Sequence, residues 1–544
     1  MLDKLNHLYP VRYTALGVCV VAALLSLFTL IAFGKGLLAL LVFGGLSVVG
    51  VRDLRQGHSA VRRNYPVIGN LRFMLEKIRP EMRQYFLEND TEATPFSRSQ
   101  RSLVYARAKG ETDKRPFGTQ VDVKGDGHEW LNHAMVPSVI DSHDFRLTIG
   151  GPACTQPYDA SIFNISAMSF GSLSANAILA LNRGAKMGGF AHDTGEGSIS
   201  EYHREHGGDL IWEIGSGYFG CRTIDGRFDG EKFAQNARAQ QVRMIEIKLS
   251  QGAKPGHGGV LPAAKVSPEI SRTRGVPMGQ DCVSPAAHSE FSTPLELIEF
   301  IGRLRTLSGG KPVGFKLCVG QPWEWFAIVK AMVKTGVTPD FIVVDGAEGG
   351  TGAAPVEFSD HVGMPLRDGL RMVHNTLRGA GLRDRIKIGA SGKVVSAFDI
   401  VRCLALGADW CNSARGFMFA LGCIQSRHCH TDACPTGVAT QDPGRQRALV
   451  VGDKAQRVHN FHRNTLANLA DLLGAAGLSH PDQVTESHIM MRTGSGAAQP
   501  LSSVIPHIEE GVLLGAQTDP RALDGLPEAF KTYWPRATPD RFSI

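Results

Sequence analysis

Three cysteines, Cys423, Cys429 and Cys434, lie within twelve positions in the stretch CIQSRHCHTDACP, a C-x5-C-x4-C-P pattern. Ten cysteines in 544 residues are too few for a disulfide scaffold. The other seven (Cys19, Cys154, Cys221, Cys282, Cys318, Cys403 and Cys411) sit in apolar or strand-like surroundings and are expected to be buried free thiols. Thiolates at the spacing of the trio suggest iron–sulfur ligation ahead of disulfides, and three ligands suggest a cluster with one vacant iron corner. A second reading has His428 and His430 join two thiolates around zinc, although this is not the C-x2-C spacing of a structural zinc site. The third is an unliganded group of thiols.

Cations and glycines make up the rest of the reactive inventory. EIKLSQGAKPGHGG carries Lys248, Gln251 and Lys254, and a separate run contributes Lys316. Snorkelling of the lysine heads to solvent is the plain alternative for each. Met168-Ser169-Phe170-Gly171-Ser172 and Asp193-Thr194-Gly195-Glu196-Gly197 are rich in glycine and hydroxyls, as expected where backbone must approach a ligand closely. Met168, Ser169, Thr194 and Gln251 are therefore candidate cofactor contacts, with Lys316. DGAEGGTG, GASGK and NSARG supply Gly349, Gly350, Ser391, Gly392 and Arg415, residue types suited to holding a phosphate through backbone N–H groups. No GxGxxG opens a helix inside a βαβ unit, so one phosphate, as in FMN, fits better than NAD.

These residues need a scaffold that gathers loop ends. Eight short apolar runs, FNISAMS, GFAHD, LIWEIG, RMIEIKL, PVGFKLC, FIVVDGA, RIKIGAS and DWCNSAR, each end in a polar or Gly-rich tail and are followed by a helical pattern. That predicts a parallel (β/α)8 barrel, with an open doubly wound sheet as the alternative, and puts chemistry at the strands' C-terminal ends. A barrel takes ~250 residues, so this chain is expected to be one large domain with additions.

The formal charge of +6 is not gathered into Lys/Arg blocks, which argues against nucleic acid as a partner. Tyr13 to Gly34 is uncharged and long enough to cross ~30 Å of hydrocarbon, and Gly36 to Val51 is a second, marginal run. A transmembrane helical hairpin is expected here, in preference to a signal peptide or a buried soluble hairpin. Lys4 and Arg12 precede it and Arg52, Arg55, Arg62 and Arg63 follow, against Lys35 alone in the turn, so both ends and the catalytic body are expected in the cytoplasm, anchored to the inner or plasma membrane. LRFMLEKIRPEMRQYFLE has helical apolar spacing, suited to packing on the body or the membrane surface, and is given no chemistry. The expected divisions are 1–55 for the hairpin, 56–150 for a linker and extension packing on the barrel, 151–485 for the FMN-binding barrel with its cluster loop, and 486–544 for a C-terminal extension.

LGCIQSRHCHTDACPTGVATQDP, SAMSFGSLS, DTGEGS, EIKLSQGAKPGHGG and GAEGGTGA, from roughly Phe163 to Leu473, closely resemble the FMN-binding synthase domain of glutamate synthases. The arrangement is most like stand-alone, membrane-anchored members of that family. The resemblance implies a (β/α)8 barrel with FMN and a [3Fe–4S] cluster on Cys423, Cys429 and Cys434. It implies that electrons from the cluster reduce FMN, whose hydride converts 2-iminoglutarate, made from 2-oxoglutarate and ammonia, to L-glutamate. Lys248 and Lys254 match the family's lysines near flavin and keto acid, Arg274 in ISRTRGVP matches its carboxylate-binding arginine, and Glu196 falls on the substrate side.

Departures shape further expectations. The chain begins Met1-Leu2 and lacks the glutaminase cysteine of full-length members, so ammonia or an amine is expected from elsewhere, with a separate glutaminase-like subunit as one source. No pyridine-nucleotide fold is read, so an external donor such as a ferredoxin or a reductase is expected. His257 and Val260 stand where the family has glutamate and glutamine, Tyr218 where it has arginine, and His192-Asp193 where asparagine is more familiar. Loss of a hydrogen-bonding group at Val260 opens the substrate to a 2-oxo acid other than 2-oxoglutarate, and His257 is expected to alter acid–base behaviour at the site. The alternatives are a membrane-bound redox subunit of a multi-chain amino-acid synthase, such as one making N-methylglutamate, and a flavin 2-hydroxy-acid oxidase, which needs no cysteine trio.

Overall fold

The computed structural model describes residues 10–91, 94–494, 496–516 and 519–544. Lys4, used above for orientation, lies outside them. The chain divides into two compact units, residues 1–92 and 93–544.

In the first unit, α1 (Thr14–Phe33) and α2 (Leu37–Arg55) pack on one another as an antiparallel pair. The spans Val11–Phe33 and Leu37–Arg55 have the length and apolarity to cross a membrane. Leu24, Leu25, Phe28, Ile31 and Leu38 are exposed along them, the reverse of a soluble core helix. Below α2, the buried Asp53 accepts hydrogen bonds from the Val67 N–H at 3.0 Å and Asn70 Nδ2 at 2.6 Å, which secures the turn into α3 (Gly69–Met82).

The second unit is built on eight parallel strands closed into a barrel. They are β1 (Phe163–Ile165), β2 (His192–Asp193), β3 (Leu210–Ile214), β4 (Val242–Lys248), β5 (Val313–Leu317), β6 (Phe341–Asp345), β7 (Lys387–Ser391) and β8 (Trp410–Ser413). Every strand pairs with the next in sequence, and β8 closes on β1 through Cys411 against Phe163. All eight runs read from sequence are strands, and the open-sheet alternative is excluded. Because helices cover the outer face and side chains fill the bore, the strands are largely apolar, with Trp212, Phe315, Phe341 and Trp410 fully buried, and their buried charges are Asp193, Glu213, Glu246 and Lys316. At the N-terminal ends, the buried Arg305–Asp340 pair (2.9 Å) is reinforced by the Gly151 and Val313 N–H groups, which donate to Asp340.

Additions wrap the barrel. A Ser97/Gln100 capping box starts α4 (Arg98–Lys109). Further elements that matter for the site are α5 (Pro268–Arg274), which enters with Pro at its first turn, α6 (Arg415–Leu421) directly after β8, and α7 (Val451–Ala475), which packs on α4. A small antiparallel sheet joins Glu129–Leu131 to Ile489–Arg492, tying the segment before the barrel to the one after it.

Candidate active site

The polar tails of β1 and of β3 to β8 converge on one cavity at the barrel's C-terminal end, as does Glu196 from the loop after β2. Of the candidate residues, Met168, Ser169, Glu196, Lys248, Gln251, Lys254, Arg274, Lys316, Gly349, Gly350, Ser391, Gly392, Arg415 and Cys429 line it. Thr194, Cys423 and Cys434 do not. Thr194 is fully buried, its hydroxyl donating to the Gly195 carbonyl and accepting from the Glu213 N–H, so it braces the loop after β2 from behind.

One wall is ionic. Lys248 Nζ lies 3.2 Å from Glu196 Oε1. Burial works to raise the Glu196 pKa, but Lys248, then Arg274 and Lys254, outweigh it and hold the carboxyl below its ordinary value. Burial, with Lys248 nearby, pulls the Lys254 ammonium down. Arg274, at the end of α5, is 4% exposed; its Nη2 donates to the Phe170 carbonyl at 2.9 Å and its Nε has no partner. Among the described residues no carboxylate forms an ion pair with Arg274, so a buried guanidinium is left with donors unused. A buried donor of this kind is chemically suited to an anion.

Another part of the lining is backbone and glycine, in a loop after β6 that packs on the loop carrying Lys254, where the Ala253 N–H donates to the Ala347 carbonyl at 3.0 Å. Arg415 Nη2 donates to the Thr351 carbonyl at 2.6 Å, and a Cβ on Gly350 would lie 2.5 Å from Arg415 Nε, so the loop after β6 folds onto the guanidinium only with glycine there. The Ser391 hydroxyl is 3.2 Å from that of Ser166, which joins the ends of β7 and β1. Asn412 on β8 also lines the cavity, with a buried Nδ2 that has no partner.

The floor is charged as well. Asp193, Glu213 and Glu246, from β2, β3 and β4, offer carboxylate oxygens all within 4.8 Å of one another, and each residue is at most 2% exposed. Lys316 from β5 pairs with Glu213 and, at 3.3 Å, with Glu246. It is thus anchored from below, with Glu213, Lys316 and Asp345 forming part of the lining. Burial, then Glu213, pushes the Asp193 carboxyl up to about 7, and burial pushes Glu246 well above the carboxylate range. Burial opposes the Lys316 charge, but Glu213, Glu246 and Asp193 hold its pKa well above normal.

The cysteine loop follows α6. Cys434 is 4% exposed, and Cys423 and Cys429 are half-buried. Burial raises the Cys423 thiol to about 11, and Cys429 and Cys434 act in the same direction. Cys434 moves the other way: burial is outweighed by the Thr436 hydroxyl and the N–H groups of Ala439, Thr436 and Val438, so its thiolate is favoured. Lys265, donating to the Ser172 and Ala439 carbonyls, lies between this loop and the cavity. Among the described residues the His and Cys atoms of this loop do not converge within 4.8 Å as one metal ion would require, and His428 and His430 are exposed. That geometry does not suit the zinc reading.

Several residues fall elsewhere than the sequence suggested. His257 is exposed, with Nδ1 2.8 Å from the Gly258 carbonyl oxygen, and it lines a small recess that shares Glu196, Lys248 and Gln251 with the main cavity, whose own lining does not include it. Val260 does face the cavity. Tyr218 is buried, its hydroxyl 3.0 Å from His288 Nδ1, away from the lining. Phe96, just before α4, lines the cavity, and from α4 the Tyr105 hydroxyl donates to the Cys423 carbonyl at 2.6 Å; neither was singled out from sequence. Only their aromatic type hinted at this, and aromatics more often mark plain core.

Residues 155–479 match the family described as a conserved region in glutamate synthase. The glutamate synthase large subunit-like protein YerD of Bacillus subtilis is 38% identical over 517 residues, covering 88% of this chain and 98% of that one. The archaeal-type glutamate synthase [NADPH] of Thermotoga neapolitana is 36% identical over 315 residues, 58% of this chain and 59% of its own length. Among solved structures, a flavocytochrome b2 variant with pyruvate bound aligns at TM-score 0.41 and 13% identity, over 76% of this chain and 87% of that one.

Proposed function

The chain belongs to the glutamate synthase family, and from that premise we propose that it is an FMN- and iron–sulfur-dependent oxidoreductase. It reduces the imine formed from a 2-oxo acid and ammonia, 2-oxoglutarate first, to the amino acid. The observation that carries this reading is that a buried guanidinium with an unused Nε donor, two lysines and a carboxylate share one cavity lining with glycines and Cys429.

The residues present suit both groups. Gly349, Gly350, Ser391, Gly392 and Arg415 would hold the FMN phosphate through backbone N–H groups and one guanidinium, Asn412 Nδ2 offers an unused donor, and Lys316 sets a charge against the ring. Cys423, Cys429 and Cys434 would bind a [3Fe–4S] cluster, one thiolate per iron. When bound, the flavin supplies hydride chemistry and the cluster one-electron transfer.

The chain's own groups do the rest. Arg274 grips a substrate carboxylate with donors that now lack an anion. Lys254, its pKa depressed, places an ammonium that can give up a proton at the carbonyl or imine. Glu196 stays ionised and fixes Lys248. Val260 on the wall leaves one substrate face without a hydrogen-bonding partner, which favours a 2-oxo acid with an apolar patch as the second substrate class.

Electrons arrive from a separate protein donor, and ammonia or an amine from solution or a glutaminase-like partner. The helices α1 and α2 insert in a membrane as a hairpin, with the Arg52, Arg55, Arg62 and Arg63 side in the cytoplasm. Purified protein supplied with a chemical reductant, 2-oxoglutarate and nitrogen-labelled ammonium is expected to yield labelled glutamate. Protein that holds flavin and iron yet forms no amino acid from any 2-oxo acid tested overturns the proposal.

A further inference from the structure

We infer that Asp193, Glu213 and Glu246 form a shared-proton store beneath the cavity floor, and that the store passes a proton, through Glu213 beside Lys316, to a group bound above it. This deepens the reading just given and rests on it for the identity of that group, a flavin ring.

The geometry carries the inference. Three carboxylates from adjacent strands bring oxygens within 4.8 Å of one another, and one ammonium, Lys316, faces them. Asp345 on β6 adds a fourth carboxylate close enough to act on Lys316 and Glu213. Like charges so crowded in a dry bore cannot all ionise, so at neutral pH the group holds at least one proton in common. The shifts of Asp193 and Glu246 agree in direction. Glu246 is 0% exposed and faces Asp193, Glu213 and Lys316, so it forms the sealed end. Glu213 and Lys316 reach the cavity and form the open end.

The surrounding charges do not discharge the store. Lys248, at the end of β4, is engaged by Glu196. His192, beside Asp193, is kept neutral by burial, and its ring lies against His203.

The step balances. On reduction of a flavin held there by two electrons from the protein donor, one carboxyl O–H of the store would break to supply the proton taken up at a ring nitrogen, and Lys316 would stabilise the carboxylate left behind. Water at the cavity mouth then returns a proton through Glu213.

Infrared difference spectroscopy of the full-length, detergent-solubilised protein tests this directly. A carbonyl band of a protonated carboxyl is expected at neutral pH, shifted by deuterium exchange and losing amplitude on a transient timescale when the flavin is photoreduced. Asp193→Asn, an isosteric change, is expected to remove the part of that band that titrates near pH 7 and to weaken the pH dependence of the flavin potential. If the folded wild type shows no protonated carboxyl at neutral pH, or if the band ignores flavin reduction, the inference is overturned without recourse to any variant. The static band depends on the cluster alone, so a protein that shows it but makes no amino acid refutes the proposed function and leaves the store standing.

Discussion

Glu196 and Gly259 form one device: a Cβ on Gly259 would stand 1.9 Å from Glu196 Oε1, so the carboxylate keeps its place against Lys248 only while residue 259 has no side chain. Gly259→Ala is expected to lower kcat/KM for the 2-oxo acid by about 100-fold, with flavin and iron content unchanged; wild-type kinetics would show that Glu196 does not position the substrate side. Arg274→Lys loses the planar fork, and its main effect is expected on KM, with a rise of about 10-fold or more. The two shifted acids act in opposite senses on stability. Glu196 has a lowered folded pKa, so its contribution is present above the ordinary carboxylate pKa and is lost as pH falls through the folded value. Asp193, raised to about 7, contributes most below its unfolded pKa and loses that contribution as pH climbs through about 7. Thermal unfolding should therefore find Asp193→Asn gaining stability relative to wild type as pH rises from about 4 to about 7, by more than ~1 kcal/mol in all, with little change below or above that window. Equal effects at both ends would contradict the raised pKa.

The barrel's elements were legible because parallel strands buried on both faces leave unbroken apolar runs, and even the two-residue β2 could be found from GFAHD. The cavity wall was legible too, since glycines, lysines and arginine at strand ends betray themselves by type. What stayed hidden depends on long-range placement. Glu213 and Glu246 are alternate residues in strands that read as plain apolar runs, and only barrel closure shows that they meet Asp193 and Lys316. Phe96 and Tyr105 reach the cavity and the cysteine loop across more than 300 residues of chain. Thr194 looked like a ligand contact by its neighbours in the DTGEG loop, yet its hydroxyl serves the backbone. The cysteine loop after α6 is the element whose role is most easily isolated. Cys429→Ser should lose acid-labile sulfide and the cluster's electron paramagnetic signal while retaining flavin, and a fully retained signal would remove Cys429 from the ligand set.

The molecule as a whole joins an apolar helical pair to a redox barrel, and its two compact units predict separable behaviour. A chain comprising residues 93–544 is expected to remain in the aqueous phase on detergent partitioning and to keep its flavin, whereas the full chain partitions with detergent; loss of flavin from the shortened chain would make the first unit part of the cofactor site. Under the proposed function, anchoring through the hairpin would raise the local concentration of a membrane-bound electron donor without a new contact. The central claim is that the cavity reduces an imine built from a 2-oxo acid and ammonia. Anaerobic stopped-flow of the chemically reduced, solubilised protein reads it most directly, through flavin absorbance after mixing with 2-oxoglutarate, with and without ammonium. Fast reoxidation that requires both is the predicted result; a flavin that stays reduced with both present, while iron and sulfide are intact, would contradict it.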